Sequence, residues 1–215
     1  MRFSLKLLET DSQFRKLALE QLSKEVKKVL DSAIPQIKNS VQNLIKQNIM
    51  SEPEYSSLTS SQGKLRLEFG IDNTMMVDMA IDNIVNTVNI TLKPVKIANV
   101  GLTGGFLLTA IESDELQMIS KSFAQMTEKG VSLEWLRWLL FEGASPIVKG
   151  YDVSFSNNNP YSRTGGAVMV KVGRKSWRVP PEYIGTVKNN WITRAIDKTD
   201  EAITKIIQAE IENKI

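Results

Sequence analysis

A long amphipathic pattern near the start of the chain constrains the fold more than any other feature. Apolar residues recur at steps of three and four over residues 14–49, and lysines occupy much of the remainder. Thr10 and Gln13 have the spacing of a capping box, which marks the beginning of a helix. Pro35 lies inside the pattern and predicts a kink or a break in the helix.

The length of this helix decides how it can be accommodated. A continuous helix over residues 12–49 would span about 57 Å at about 1.5 Å per residue. A compact domain of 215 residues has a diameter of only about 45 Å. The helix therefore either folds back at Pro35 onto its own core, or another subunit covers its apolar side. We expect one domain over residues 1–215, with residues 1–50 as a candidate projecting helical arm.

The rest of the chain predicts an α+β protein with helices flanking a largely antiparallel sheet. Alternating or apolar runs predict strands at residues 65–69, 88–92, 95–100, 106–111, 147–155 and 167–172. Glycines at 101, 104 and 105 predict a turn between two of these strands. Helical patterns cover residues 75–85, 114–128 and 133–141, and a long C-terminal helix follows a cap at Asn189 or Asn190.

The absence of cysteine and histidine excludes several classes of active site and metal site. The sequence has no cysteine and no histidine, which excludes thiolate nucleophiles, sulfur-built metal sites and Ser-His-Asp triads. The acidic cluster Glu112, Asp114 and Glu115 lacks the spacing of a calcium loop and indicates a solvated turn. We expect no catalytic residue, no metal and no cofactor, although catalysis by lysine or carboxylate side chains stays open.

Charge is unevenly distributed along a chain whose net charge is only +3. Residues 161–194 carry a net charge of +6, whereas residues 51–160 carry −5. Opposite patches of this kind let copies of a subunit meet in a fixed register, and a basic patch also suits a phosphate backbone. A solvated face is the remaining alternative. The candidate interface residues are Arg163, Arg174, Lys175, Arg178 and Arg194. Arg163 belongs to a polar loop at residues 156–164, which we expect to reach a neighbouring subunit.

Four tryptophans accompany this charge pattern. Trp135 and Trp138 are three residues apart on one predicted helix, and Trp177 and Trp191 lie in the basic segment. A base-stacking platform is conceivable, but tryptophans on amphipathic elements more often anchor cores. We predict that all four are structural.

Four segments in a fixed order resemble a known family. They are residues 130–140 (GVSLEWLRWLL), 162–169 (SRTGGAVM), 177–180 (WRVP) and 190–195 (NWITRA). Together they resemble the neck, or tail-completion, proteins of tailed bacteriophages, the head–tail connectors of phages with contractile tails in particular. The resemblance is strongest from residue 130 to the C-terminus.

The resemblance implies a non-enzymatic virion protein located in the phage neck and assembled in the host cytoplasm. Such proteins form a homo-oligomeric ring between the portal side of the capsid and the tail, and DNA passes through the ring. The implied partners are copies of the chain, portal or adaptor proteins, tail terminator or tail-tube proteins, and packaged DNA through non-specific contact, with no membrane. A nucleic-acid-binding module using residues 161–194 is the alternative.

Overall fold

The computed structural model describes residues 10–98, 101–126, 130–156 and 158–214. The helices are α1 (Asp11–Ser51), α2 (Pro53–Thr59), α3 (Lys64–Phe69), α4 (Met75–Asn86), α5 (Ser113–Ser122), α6 (Trp135–Arg137), α7 (Trp191–Asp197) and α8 (Asp200–Glu212). The strands are β1 (Asn89–Ala98), β2 (Gly101–Thr109), β3 (Gln125–Met126), β4 (Ser132–Leu133), β5 (Val148–Phe155) and β6 (Ala167–Trp177). A π-helical turn (Trp138–Glu142) continues α6, and a 3₁₀ turn (Pro181–Tyr183) follows β6. The predicted α+β class is confirmed.

Helix α1 is continuous over 41 residues and passes through Pro35 without interruption. The predicted capping box is confirmed, because the Thr10 amide donates to Gln13 Oε1 at 2.8 Å and the Gln13 amide donates to Thr10 Oγ1 at 3.4 Å. The expectation of a break or a fold-back at Pro35 is wrong. Proline removes one helical hydrogen bond, and buried Ala33 and Ile37 hold the helix to the core on both sides of it.

Burial divides α1 into two halves. From Ala33 to Ile49 it carries five fully buried side chains, which pack against β1, α4, α7 and α8. No side chain of residues 11–32 is buried, so about 30 Å of helix lies outside the core. We call residues 11–32 the arm. Phe14, Leu17 and Leu22 of the arm are 65%, 55% and 51% exposed.

Strand pairing is antiparallel as predicted, but the described strands form three two-stranded sheets: β1–β2, β3–β4 and β5–β6. Each strand pairs only with the next strand along the chain, and helices separate the hairpins. Pro94 does not end a strand, because it lies in an irregularity of β1 between Lys93 and Lys96. The predicted glycine turn is also wrong, since Gly104 lies within β2, where an added Cβ would come within 3.2 Å of Val95 Cα.

Several predicted boundaries and one predicted element differ from the structure. Residues 64–69 form α3 rather than a strand, because Leu65 and Phe69, four residues apart, are both buried on one side of a helical turn. Asn190 caps α7 as predicted and accepts bonds from the amides of Ile192 and Thr193, both at 3.1 Å. The C-terminal helix is interrupted between α7 and α8. Parts of the predicted strand at 95–100 and helix at 114–128 lie outside the described residues.

Candidate interaction surfaces

The structure places the four tryptophans at different depths. Trp135, Trp177 and Trp191 are only 0%, 3% and 1% exposed, and Trp138 is half-buried. Trp177 packs edge-on against Phe69 with ring centroids 5.5 Å apart. The indole nitrogens of Trp135 and Trp191 have no hydrogen-bond partner among the described residues. These indoles therefore contribute by packing.

Glu68 accepts the hydrogen bond of the Trp177 indole at 3.0 Å. Partial burial raises the pKa of this carboxyl group above its ordinary value, and the indole and Lys64 offset only part of that effect. A cavity of about 450 Å³ lies beside it and is lined by Lys64, Glu68, Trp177 and Arg178 among others. Lys64 is paired with Glu182 at 2.7 Å. The cationic and anionic groups at this cavity thus largely balance each other.

Arg194, a predicted interface residue, belongs to an internal ion cluster. Its guanidinium lies 2.5 Å from Glu54 Oε1 and 3.5 Å from Glu52 Oε2, and Lys198 also binds Glu52. Glu52 and Glu54 are 4% and 1% exposed. The cluster fastens α7 to the junction between α1 and α2. Sequence reasoning missed it because Glu54 carries no local sign of burial and its partner Arg194 is 140 residues away.

Arg163 is also engaged within its own chain. Its guanidinium donates to the backbone carbonyls of Gly70, at 3.5 Å, and Met126. These bonds tie the loop at residues 156–164 to the end of α3 and to β3. The side chain that remains most available on this loop is Tyr161, which is 84% exposed.

The other three interface candidates share one strand and its end. Arg174 and Lys175 lie on β6, Arg178 follows it directly, and Lys171 precedes them on the same strand, all exposed. We call these four residues the basic strand. Lys175 lies 3.2 Å from Asp152 and lowers the pKa of that carboxyl group. Lys171, Arg174 and Arg178 have no ion-pair partner within the described part of the chain, so their charges face solvent.

A second cavity, of about 460 Å³, was not indicated by the sequence. It lies between α1, the β1–β2 hairpin and α8, and Val26 and Leu30 of the arm form part of its wall. We call it the apolar groove. Its lining includes Val26, Leu30, Val95, Phe106, Ile207 and Ile211. Because its walls come from three elements far apart in the chain, no local pattern could have identified it.

Neither a metal site, a membrane-spanning helix nor a similar protein assigns a function to the described residues. No group of three acidic side chains in the described ranges is placed to hold a metal ion. Among the described helices, none is long and apolar enough to cross a membrane. Comparison with protein-family models, with curated proteins and with solved structures found no match. Function must therefore be argued from the arm, the apolar groove and the basic strand.

Proposed function

We propose that this protein is a structural component of a tailed-phage neck, where copies of it form a ring that joins the capsid side to the tail and lets DNA pass. The observation that carries the proposal is the arm. No side chain is buried over its 22 residues, about 30 Å of helix, and Phe14, Leu17 and Leu22 are more than half exposed. Large apolar side chains grouped on a projecting element are typical of protein–protein contact surfaces.

A ring requires two different surfaces on each subunit. A head-to-tail contact repeats around a rotation axis and closes when the rotation between neighbours divides a full turn. The exposed side chains of Phe14, Leu17 and Leu22 and the basic strand belong to different parts of the chain, so they can serve as two such surfaces. The four segments that resemble neck proteins agree with this arrangement.

The basic strand gives the ring a second kind of contact. Lys171, Arg174 and Arg178 direct unpaired positive charge to solvent. In a neck they would face either the acidic surface of an adjoining ring or the phosphates of DNA in the channel.

Locating the protein in assembled particles tests the proposal. Electron microscopy of virions labelled with an antibody to this chain should place it at the junction of head and tail. Native mass spectrometry of isolated necks should then give several copies per particle. Absence of the chain from virions, or a single copy in the neck, would refute the proposal.

A nucleic-acid-binding module is the second candidate, and the unpaired charges of the basic strand favour it. The affinity for duplex DNA would then fall steeply with salt, with a log–log slope of about −0.9 for each phosphate contacted. Replacing Arg174 and Arg178 by alanine should flatten that slope. An affinity that is weak at low salt and insensitive to added salt would reject this candidate.

A further inference from the structure

We infer that the cavity beside the Trp177 indole binds an arginine side chain presented by a partner protein. We call this cavity, of about 450 Å³, the Glu68 cavity. Its walls come mainly from α3, β5, the end of β6 and the 3₁₀ turn that follows it. The inference goes beyond the proposed ring and does not depend on it.

Glu68 is the group that gives the cavity its preference for a cation. It is partly buried, and within the described part of the chain its carboxylate accepts one hydrogen bond, from the Trp177 indole to Oε2 at 3.0 Å. The Lys64 ammonium binds Glu182 at 2.7 Å instead, and no described residue forms an ion pair with Glu68. Oε1 of Glu68 is therefore available to a charged hydrogen-bond donor.

The electrostatic surroundings of Glu68 leave its negative charge poorly compensated. Burial raises the pKa of this carboxyl group, and the carboxylates of Glu182 and Asp152 act in the same direction. The Trp177 indole and Lys64 oppose this effect only in part. A cation bound at Glu68 would stabilise the ionised form. Ionisable groups perturbed in this way at the wall of a cavity occur preferentially at functional sites.

The other cations around the cavity do not supply the missing charge. Lys175 lies 3.2 Å from Asp152, and its side chain is 72% exposed. Arg178 lines the cavity, but it is exposed and forms no ion pair with any described residue. Water and salt therefore screen the charge of Arg178, whereas the carboxylate of Glu68 is partly shielded from water. A ligand cation at Glu68 would be the least screened charge in the cavity.

The lining of the cavity favours arginine over lysine. Phe155 lines it and is 49% exposed, so its ring is available to a planar cation. A guanidinium stacks on an aromatic ring while it donates to a carboxylate, whereas an ammonium is a compact and strongly hydrated charge. Val153, Pro180 and Ile184 also line the cavity and can cover the methylene stem of the side chain.

The residues that would receive the ligand are held in place before it arrives. Trp177 is 3% exposed and packs edge-on against Phe69, with ring centroids 5.5 Å apart. Two consecutive prolines, Pro180 and Pro181, restrict the backbone of the turn that lines the cavity. A preorganised site loses less conformational entropy on binding.

Titration with Nα-acetyl-arginine amide, followed by ¹H–¹⁵N NMR of the full-length protein at constant ionic strength, tests the assignment. The indole N–H of Trp177 reports on the site because it donates to Glu68. The indole signals of Trp135 and Trp191 are internal references, since neither nitrogen has a hydrogen-bond partner among the described residues. We expect a saturable shift of the Trp177 signal. The neutral isostere Nα-acetyl-citrulline amide should bind about tenfold more weakly.

Two substitutions separate the contribution of the carboxylate from that of the ring. Glu68→Gln keeps the size of the side chain and should weaken binding of the arginine probe about tenfold. Phe155→Leu should weaken it about two- to fivefold. The matched control is Glu115→Gln, because Glu115 is exposed on α5 and does not line the cavity, and it should leave the affinity unchanged. Thermal melts establish folding, and the citrulline comparison uses the parent protein, so it decides even where a variant fails to fold.

The pH dependence of the affinity is an independent readout. Binding requires ionised Glu68, so the affinity should fall as pH is lowered through the raised pKa of this group. Asp152 and Glu182 have lowered pKa values and titrate at lower pH. The cations Lys64 and Arg178 stay charged throughout, and the chain has no histidine. By linkage, the bound arginine probe should lower the pKa of Glu68.

Several results would overturn the inference. They are a Trp177 signal that the arginine probe does not move, equal binding of the citrulline probe, or undiminished binding by folded Glu68→Gln. Equal binding of Nα-acetyl-lysine amide would overturn the assignment to arginine, and tighter binding of Nα-acetyl-glutamate would show that the cavity selects anions. None of these measurements depends on a ring in a phage neck, so this inference and the proposed function fail separately.

Discussion

Removing Arg194 should destabilise the protein far more than removing an exposed cation. Arg194 neutralises two carboxylates that are almost completely buried, Glu52 and Glu54. Breaking a buried ion pair by removing one partner typically costs about 3–5 kcal/mol. Glu52 keeps Lys198, and the Arg194 side chain is 35% exposed, so for Arg194→Met we expect a loss of about 2–3 kcal/mol in the free energy of unfolding.

Thermal and urea unfolding measure this loss. For a chain of this size, a loss of about 2–3 kcal/mol lowers the melting temperature by about 5–10 °C. Lys175→Ala is the matched control because it breaks an exposed pair with Asp152, where the side chain of Lys175 is 72% exposed. That change should cost less than about 1 kcal/mol.

A second substitution separates the buried charge from other effects of Arg194. Glu54→Gln/Arg194→Met removes both charges of the Arg194–Glu54 pair, so the double variant should be more stable than the sum of the two single losses predicts. A melting temperature for Arg194→Met within about 2 °C of the parent would refute the reasoning and return Arg194 to the list of interface residues.

Three further outcomes are expected. Trp191→Ala should lower the free energy of unfolding in urea by about 3–5 kcal/mol, because the indole is buried. The Arg174→Ala/Lys175→Ala variant should lower it by less than about 1 kcal/mol. The reverse order would mean that the core residue and the surface residues have been confused. Glu68→Gln should melt higher than the parent at pH 7, because the pKa of Glu68 is raised by folding and its charged form therefore destabilises the fold. That advantage should shrink as pH falls through the raised pKa and vanish below the unfolded value, and a pH-independent difference would count against it. Pro35→Ala should raise stability by about 1–3 kcal/mol, since proline is exposed inside a helix, and a lower urea midpoint would contradict this.

Features governed by neighbouring residues were predictable from the sequence. The cap Thr10 was identified because its partner Gln13 lies three residues away, and the cap of the C-terminal helix was narrowed to Asn189 or Asn190, of which the structure has Asn190. The stripe from Ala33 to Ile49 was identified because burial repeats with the helical period. These signals fix where helices begin and which side faces the core.

The sequence pattern predicted the wrong element for residues 64–69, because their apolar residues fit both the period of a strand and that of a helix. Leu65, Leu67 and Phe69 alternate as in a strand, yet Leu65 and Phe69 also stand one helical turn apart. Gly70, with φ of +65°, ends the helix in the left-handed conformation that glycine adopts without strain. Tertiary packing decided between the two.

Pairings between distant segments were not predictable from one sequence. Arg194 and Glu54 attract each other only after α7 has packed against α1, and neither position carries a local signal of burial. The same holds for the apolar groove, whose walls meet through the packing of α1, the β1–β2 hairpin and α8. Of the five candidate interface residues, three are engaged with distant parts of the chain: Arg163, Lys175 and Arg194.

The exposed first half of α1 has a consequence for the order of events in the proposed assembly. Its 22 residues hold helical form through their own hydrogen bonds, the Thr10 cap and contacts such as the Glu25–Lys28 pair at 3.1 Å, without the tertiary packing that supplies most helical stability in proteins. The arm is therefore among the less stable parts of α1, and in the proposed assembly docking would select its helical form. The entropy lost in that ordering opposes contacts between dilute subunits. Each added subunit loses that entropy again, but a scaffold that holds several subunits together raises their effective concentration and so offsets the loss. Helix–coil equilibrium in one segment would thus set the concentration, or the scaffold, at which growth of the assembly begins.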